Sequence, residues 1–283
     1  MLQRSDVNPE IAMGAGDRSE VTAAHHSRLF WAFSDTWVLI LRSLEHIFRH
    51  IDQLLGLTIQ PIMFLLLFRY VFGGAIETGG VEYVNFLVAG ILVQMAAFGA
   101  TTTSYSVATD LTKGIIDRFK SLPMTSSAVL TGHVVADLVR NTLSSVIMIV
   151  VALFVGFRPV ASLLDWLVIL GILLLFTLAI SWLSAILALL AKSVESVQWM
   201  TFLIIFPLTF ASAAFVPTDT MPYALRVFAE NQPVTHVIEA IRALMIGAPV
   251  GDHLWLSALW SVTITIVAVP VAGYLFRHGT LSR

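Results

Sequence analysis

The sequence contains no cysteine, few charged residues and no phosphate-binding loop. Of its 283 residues 12% are charged, whereas an average soluble domain is about 25% charged. The lack of cysteine excludes disulfides, thiolate catalysis and cysteine-ligated metals. No G-x-x-x-x-G-K-[ST] motif is present, so the chain has no P-loop for ATP phosphates. Energy for any transport must therefore come from a partner chain or from an ion gradient.

Motifs for other chemistry are equally sparse. There is no G-x-S-x-G and no clustered acid pair for hydrolysis, so we predict no catalytic residue. His46 and His50 share a helical face, but a third metal ligand is missing and arginines stand beside them. A solvated helix face explains them better, and we predict no metal and no cofactor bound by this chain. The net charge of -2 gives no indication of nucleic-acid binding.

What the sequence has in abundance is apolar residues. They make up 57% of the chain, and they come in runs near the length of a bilayer span. This pattern predicts an all-α integral membrane protein with one membrane domain over residues 28–283, after a disordered cytoplasmic tail at 1–27. The predicted spans cover residues 54–72, 86–108, 134–155, 163–190, 197–216 and 254–276.

Two further segments have helical patterns without being spans. From Arg28 to Ile51 apolar residues repeat at helical spacing with charged residues opposite, which predicts an amphipathic helix on the inner membrane surface rather than a soluble bundle helix. Between Pro217 and Gly251 prolines separate apolar residues at helical spacing. We predict two short helices that re-enter the outer leaflet, with a plain outer loop as the alternative.

The distribution of charges predicts an orientation and argues against an ion-driven carrier. The loop from Ala75 to Asn85 has no lysine or arginine, whereas the segments on the opposite side are basic, so both termini are predicted in the cytoplasm. Acidic residues stand mostly at span ends instead of the bilayer midplane. Asp137 and Arg140, three residues apart, are predicted to pair at the membrane interface, where anchoring of the helix is the simplest role.

Four blocks resemble the membrane subunits of type 2 ABC exporters of the daunorubicin/doxorubicin-resistance kind. The resemblance extends from about Phe30 to the C-terminus. Two positions depart from it: many relatives have arginine where this chain has Ser126 and His133. The blocks are PIMFLLLF with YVFGGAI in Pro61–Ile76, GIIDRFKSLPM in Gly114–Met124, Ala136-Asp137 with Arg140-Asn141, and NQPVT with EAIRAL in Asn231–Leu244.

The resemblance implies a half-exporter of six spans in the bacterial inner membrane. It implies a second copy of this or a related permease, and two copies of a separate nucleotide-binding subunit that holds ATP and Mg²⁺. The charged segment after the second span is then the coupling helix seated on that ATPase. Its residues are Lys113, Asp117, Arg118, Phe119, Lys120, Leu122 and Pro123; the re-entrant segment implied by the resemblance includes Asn231, Pro233, Glu239 and Arg242.

The second and fifth spans supply candidate substrate contacts. Aromatic and polar side chains with few fixed charges suit apolar, planar or lipid-like cargo; ordinary helix packing is the alternative for each residue. The residues are Gln94, Phe98, Thr102, Tyr105, Trp199, Phe202 and Phe206.

The predicted function is ATP-driven export of a hydrophobic or amphipathic drug or lipid-like compound, with membrane lipid around the chain. Polysaccharide or glycolipid export, an ion-coupled carrier and a non-transporting scaffold are the alternatives.

Overall fold

The computed structural model describes residues 51–76, 78, 80–113 and 126–278. Over these residues the chain is helical and has no strand, which confirms the predicted all-α fold class. The predicted tail, nearly all of the N-terminal amphipathic helix and most of the coupling segment lie outside the described residues. The predicted division at residue 27 therefore stays a prediction.

Eight α-helices follow one another in the described part of the chain. A π-helical turn, Phe68–Phe72, extends the first helix, and a short 3-10 turn, Thr218–Thr220, precedes the sixth. The helices are α1 (Ile51–Leu67), α2 (Tyr83–Thr112), α3 (Ser126–Val155), α4 (Leu163–Leu190), α5 (Val194–Phe210), α6 (Tyr223–Asn231), α7 (Pro233–Ile246) and α8 (His253–His278).

Four of these helices are long and apolar enough to cross a bilayer: α2, α3, α4 and α8. Shorter apolar helices at Thr58–Phe72 and Val194–Phe210 occupy the places of the predicted first and fifth spans. The chain is therefore a multi-pass integral membrane protein.

Helix boundaries agree best where the sequence contains a cap. The α4 helix covers residues 163–190, as predicted. Ser162 and Asp165 form a reciprocal capping box at its start: the Ser162 backbone N–H donates to Asp165 Oδ2 at 2.8 Å, and the Asp165 N–H donates to Ser162 Oγ at 3.3 Å. Ser193 and Ser196 cap α5 in the same manner.

Two helices differ in extent from the predicted spans. The third helix begins at Ser126, eight residues before the predicted start at residue 134, since the polar residues there continue the helix beyond its apolar run. The fifth ends at Phe210 and not at residue 216. Pro207 lacks an N–H and weakens the last turn, and residues 211–216 leave the helix to pack in the core.

The α2 helix is the centre of the bundle. It packs against α1, α3, α4, α5 and α7, and most of its side chains are buried. Gly90 permits this packing, because a Cβ at that position would collide with the backbone carbonyl of Ala214. The peripheral α8 packs on α4 and α7.

The segment between α5 and α8 contains two short helices, α6 and α7, as predicted, instead of a plain loop. Pro233 is the first residue of α7, where its missing N–H costs no hydrogen bond. Gly247 ends α7 with a φ of 71°, a left-handed conformation that glycine adopts readily. The predicted depth of these helices in the outer leaflet stays a prediction.

Candidate functional site

The connection between α2 and α3 carries the predicted coupling residues. Lys113 directly follows α2, is exposed, and donates its backbone N–H to the Thr109 carbonyl at 3.0 Å. The other six, Asp117, Arg118, Phe119, Lys120, Leu122 and Pro123, lie outside the described residues. Their assignment to coupling stays a prediction.

A side-chain hydrogen bond joins the two helices that lead into and out of this connection. His133 Nε2 of α3 lies 3.0 Å from Asp110 Oδ2 of α2, and both side chains are partly buried. Asp110 lies three residues before Lys113, so this contact holds the end of α2 against α3. In the sequence, His133 stood out only as a departure from the family pattern. Its contact with Asp110 was not predicted.

A buried polar cluster lies farther along the same helices. It consists of Asp137, Arg140 and Asn141 of α3, Thr102 of α2 and Ser181 of α4. The Asp137 carboxylate has no exposed surface; Asn141 Nδ2 donates to its Oδ1 at 3.0 Å, and the Ser181 hydroxyl donates to Oδ2. Arg140 Nη1 lies 3.6 Å from Asp137 Oδ1 and donates to Thr102 Oγ1 at 2.6 Å.

The polar cluster contains the predicted Asp137–Arg140 pair, but the acid lies inside the bundle and not at an exposed helix end. Hydrogen bonds from three helices satisfy the carboxylate and permit its burial. Gly99 allows α3 to approach closely, since a Cβ there would collide with the Asn141 side chain. The polar cluster therefore connects α2, α3 and α4 through one charged group.

The polar half of α2 contacts neighbouring helices. Ser104 Oγ lies 3.3 Å from Thr201 Oγ1 of α5, and both residues are buried. Thr102, predicted to contact substrate, bonds to Asp137 and Arg140 of the polar cluster and to the Gly99 carbonyl of its own helix at 2.7 Å. Tyr105 is 46% exposed.

Aromatic rings form a continuous series along α5. Trp199, Phe202 and Phe206 are all exposed in the single chain. Phe202 lies 6.3 Å from Trp199 and 5.1 Å from Phe206, measured between ring centroids. Phe98 of α2 joins this series at 6.5 Å from Phe202. Phe98 of α2 and Trp199, Phe202 and Phe206 of α5 thus form one aromatic surface.

Gln94 lies next to this surface in a small cleft between α1 and α2. The side chain is 4% exposed, and its Nε2 atom has no hydrogen-bond partner among the described residues. Phe64 of α1 and Phe98 of α2 line the same cleft. Gln94 and Phe98, both predicted, are therefore close together, whereas Thr102 belongs to the polar cluster.

Arg242 of the predicted re-entrant segment joins three parts of the chain: α7 itself, the start of α2 and the segment after α5. Its Nε donates to the Phe86 carbonyl at 3.0 Å, its Nη2 donates to the Ala213 carbonyl, and its Nη1 pairs with Glu239. The guanidinium also lies 3.5 Å from the centroid of the Phe86 ring. Asn231, by contrast, bonds within α6, where its Nδ2 donates to the Val227 carbonyl at 2.8 Å. Arg242 thus fixes the position of α7 on α2.

One contact in this region had no signal in the sequence. His236 of α7 and His253, the first residue of α8, place their Nδ1 atoms 3.1 Å apart. They are 17 residues apart in the chain, so no helical spacing relates them. No group of three or more possible metal ligands occurs within the described ranges.

These features define a class of protein. A helical bundle with several apolar helices and a polar cluster buried between them is a multi-pass integral membrane protein. Residues 34–246 match the family described as ABC-2 type transporter, and the chain belongs to this family.

Comparison with characterised and named relatives agrees with that membership. The chain is 31% identical over 232 residues to a daunorubicin resistance ABC transporter permease protein of Streptomyces coeruleorubidus, with 82% of each chain covered. It is 28% identical to a probable doxorubicin resistance ABC transporter permease protein of Mycobacterium tuberculosis, over 88% of this chain and 90% of the relative. Nodulation protein J of Rhizobium leguminosarum is also 28% identical, over 71% and 76%. The resemblance to ABC permeases of the drug-resistance kind is thereby confirmed.

Proposed function

We propose that this chain is the membrane-spanning half of an ATP-driven exporter for a hydrophobic or amphipathic drug or lipid-like compound. The observation that carries the proposal is the match to drug-resistance permeases over most of the chain. Because the sequence contains no P-loop, the proposal places ATP and Mg²⁺ in a partner chain. Two copies of that ATPase would act on a dimer of this or a related permease.

The connection between α2 and α3 is the proposed contact with the ATPase. Asp117, Arg118 and Lys120 give it a charged surface suited to a soluble partner. Movement of this connection would reach both helices together, because the Asp110–His133 pair joins them beside it. The polar cluster then joins α2 and α3 to α4.

The proposed substrate surface is the aromatic series on α2 and α5. Exposed aromatic rings favour planar or apolar compounds, because such rings bind mainly through apolar area and stacking. The proposed membrane is the bacterial inner membrane with both termini in the cytoplasm, as the basic segments favour. In that orientation the α2–α3 connection faces the compartment that supplies ATP.

The test is ATPase activity of the purified chain, alone and co-expressed with a candidate nucleotide-binding subunit, with daunorubicin added. We expect no activity from the chain alone and drug-stimulated activity from the complex. Failure to bind any ATPase would contradict the proposal.

The coupling assignment needs a separate variant. Exchanging the charges in Asp117→Arg with Arg118→Asp should preserve the spans but reduce drug-stimulated turnover about tenfold or more, by removing the charge match to the partner. The matched control is Arg226→Glu with Glu230→Arg, which exchanges an exposed pair of α6 joined at 2.7 Å. Equal activity of both double variants would refute the coupling role.

A further inference from the structure

A cleft between α1 and α2 combines amide groups with aromatic walls. Gln60 of α1 stands exposed at one side, and Gln94 of α2 is buried at the other. Phe64, Met95 and Phe98 form the apolar walls, and Gly99 adds no side chain to the space. None of the described residues that line the cleft is charged.

The Gln94 amide is the feature that needs an explanation. A buried amide normally has hydrogen-bond partners, because burial removes those that water would supply. Its Nε2 atom has none within the described part of the chain. Two other polar atoms of α2, Thr103 Oγ1 and Thr109 Oγ1, are also buried without a partner among the described residues, but of these three residues Gln94 is the one that lines the cleft. An occupant with an oxygen atom would satisfy the Gln94 amide.

The size of the cleft limits what enters it. The cleft encloses about 110 Å³, somewhat less than the roughly 150 Å³ apolar cavity that holds one benzene ring. The edge of one ring or a small polar head therefore fits, while a drug-sized ligand needs at least about 300 Å³. The rest of such a ligand would have to lie outside, and Phe98 connects the cleft to the exposed rings of α5.

We infer that this cleft binds the oxygen-bearing ring or head of an uncharged amphiphile, with the Gln94 amide bonded to a carbonyl or hydroxyl group. The absence of charge on the walls disfavours an ionised group, because burying an unpaired charge is far more costly than burying a neutral polar group. As a substrate site the cleft rests on the proposed function. As a binding site it does not.

The test measures binding to the full chain without any ATPase. The probe is 1,4-dihydroxyanthraquinone, whose fluorescence is titrated against the chain in phosphatidylcholine nanodiscs, with empty nanodiscs subtracted. Gln94→Met keeps the approximate volume and removes the amide. We expect about a tenfold loss of affinity, the loss of one buried neutral hydrogen bond of the stronger kind. Gln60→Met should reduce the affinity for the probe only about threefold, because the Gln60 side chain is exposed.

Two related compounds separate the amide from general packing and charge. Anthracene has the same three rings without oxygen, so its affinity should be equal in the wild-type and Gln94→Met chains. Anthraquinone-2-sulfonate should bind at least about tenfold more weakly than the uncharged probe. Equal loss of anthracene binding in Gln94→Met, unchanged binding of the hydroxyanthraquinone, or tight binding of the sulfonate would overturn the inference.

The same assay assigns the source of the occupant. Dioleoylglycerol in the nanodiscs has neutral oxygens and displaces the probe if a lipid occupies the cleft; without displacement the soluble aromatic class is the occupant. The outcomes also separate this inference from the proposed function. Amide-dependent binding without ATP-driven transport would contradict only the exporter, whereas transport that is indifferent to Gln94→Met, with unchanged binding, would contradict only the cleft.

Discussion

The α2 and α8 helices are both long and apolar, yet they occupy opposite environments. In α2, 83% of the most apolar window is buried inside the chain, whereas the value for α8 is 17%. In a soluble protein the more apolar helix is expected inside, but lipid removes that rule, since exposed apolar residues cost nothing there. What distinguishes α2 is small and polar residues at helix contacts. Gly90, Gly99 and Ser104 each meet another helix or the core segment after α5.

The strongest way to break this contrast is to add side chains to glycines of each helix. Gly90→Val places its Cβ against the backbone carbonyl of Ala214, which cannot move aside without shifting the segment after α5. We expect little folded protein. Gly273→Val in α8 meets nothing within 4 Å and should fold normally. Size-exclusion chromatography of fluorescent-protein fusions measures both, and similar yields would contradict the central position of α2.

The second largest effect is expected in the polar cluster, since none of the described buried side chains of α8 is charged. Asp137→Ala leaves the Arg140 guanidinium buried without its acid, which should cost about 3–5 kcal/mol. Arg226→Ala on exposed α6 should cost at most about 1 kcal/mol. The thermal midpoint in detergent compares them. The double variant Asp137→Leu with Arg140→Met should recover part of the loss, and no recovery would mean that packing, not charge, is responsible.

A third comparison uses leucines. Leu92 of α2 has no exposed surface, whereas Leu259 of α8 is 45% exposed. Leu92→Ala should reduce the free energy of unfolding by about 2–5 kcal/mol, because it leaves a cavity. Leu259→Ala should cost about 1 kcal/mol or less. Equal losses would indicate that a partner subunit covers this part of α8.

The smallest expected effect is a pH dependence at the contact between α7 and the first residue of α8. Burial lowers the pKa of His236 below its ordinary 6.5, and the charge of His253 lowers it further. The folded chain therefore binds fewer protons than the unfolded chain, and stability is fully present above about pH 6.5 and decreases as the pH falls below that value.

The measurement is the thermal midpoint at pH 7.5 and pH 5 for the wild-type chain and for His236→Phe. The wild-type chain should lose more stability on acidification. The same loss in both chains would show that another group is responsible, and His253→Phe would then be compared in the same manner.

Prediction from sequence was most successful where local patterns decide the structure. The α4 bounds follow from an apolar run with a serine cap, and α6 and α7 follow from prolines around apolar residues at helical spacing. The fifth helix ends at Phe210, before the end of the predicted fifth span, because Pro207 and the packing of residues 211–216 outweigh the helical tendency of that apolar stretch. Hydropathy does not distinguish an apolar helix from an apolar segment packed in the core.

In the candidate site, too, contacts within one helix were predictable and contacts between helices were not. The pairing of Asp137 with Arg140 was predictable, since residues three apart share a helix face. Its burial was not, because Thr102 and Ser181 come from other helices. The His133 contact with Asp110 and the His236 contact with His253 likewise join residues of different helices. A single sequence contains no signal for such pairs.

The sequence by itself determined that this chain is an all-helical membrane protein with no P-loop of its own, because hydropathy and motifs are properties of consecutive residues. The tertiary structure alone decided which apolar helix lies at the centre, which charges are buried together, and that Gln94 faces a cleft beside Phe64. In a bilayer every apolar span is equally well solvated by lipid. The arrangement of the spans therefore depends on close contacts between small and polar side chains of distant segments.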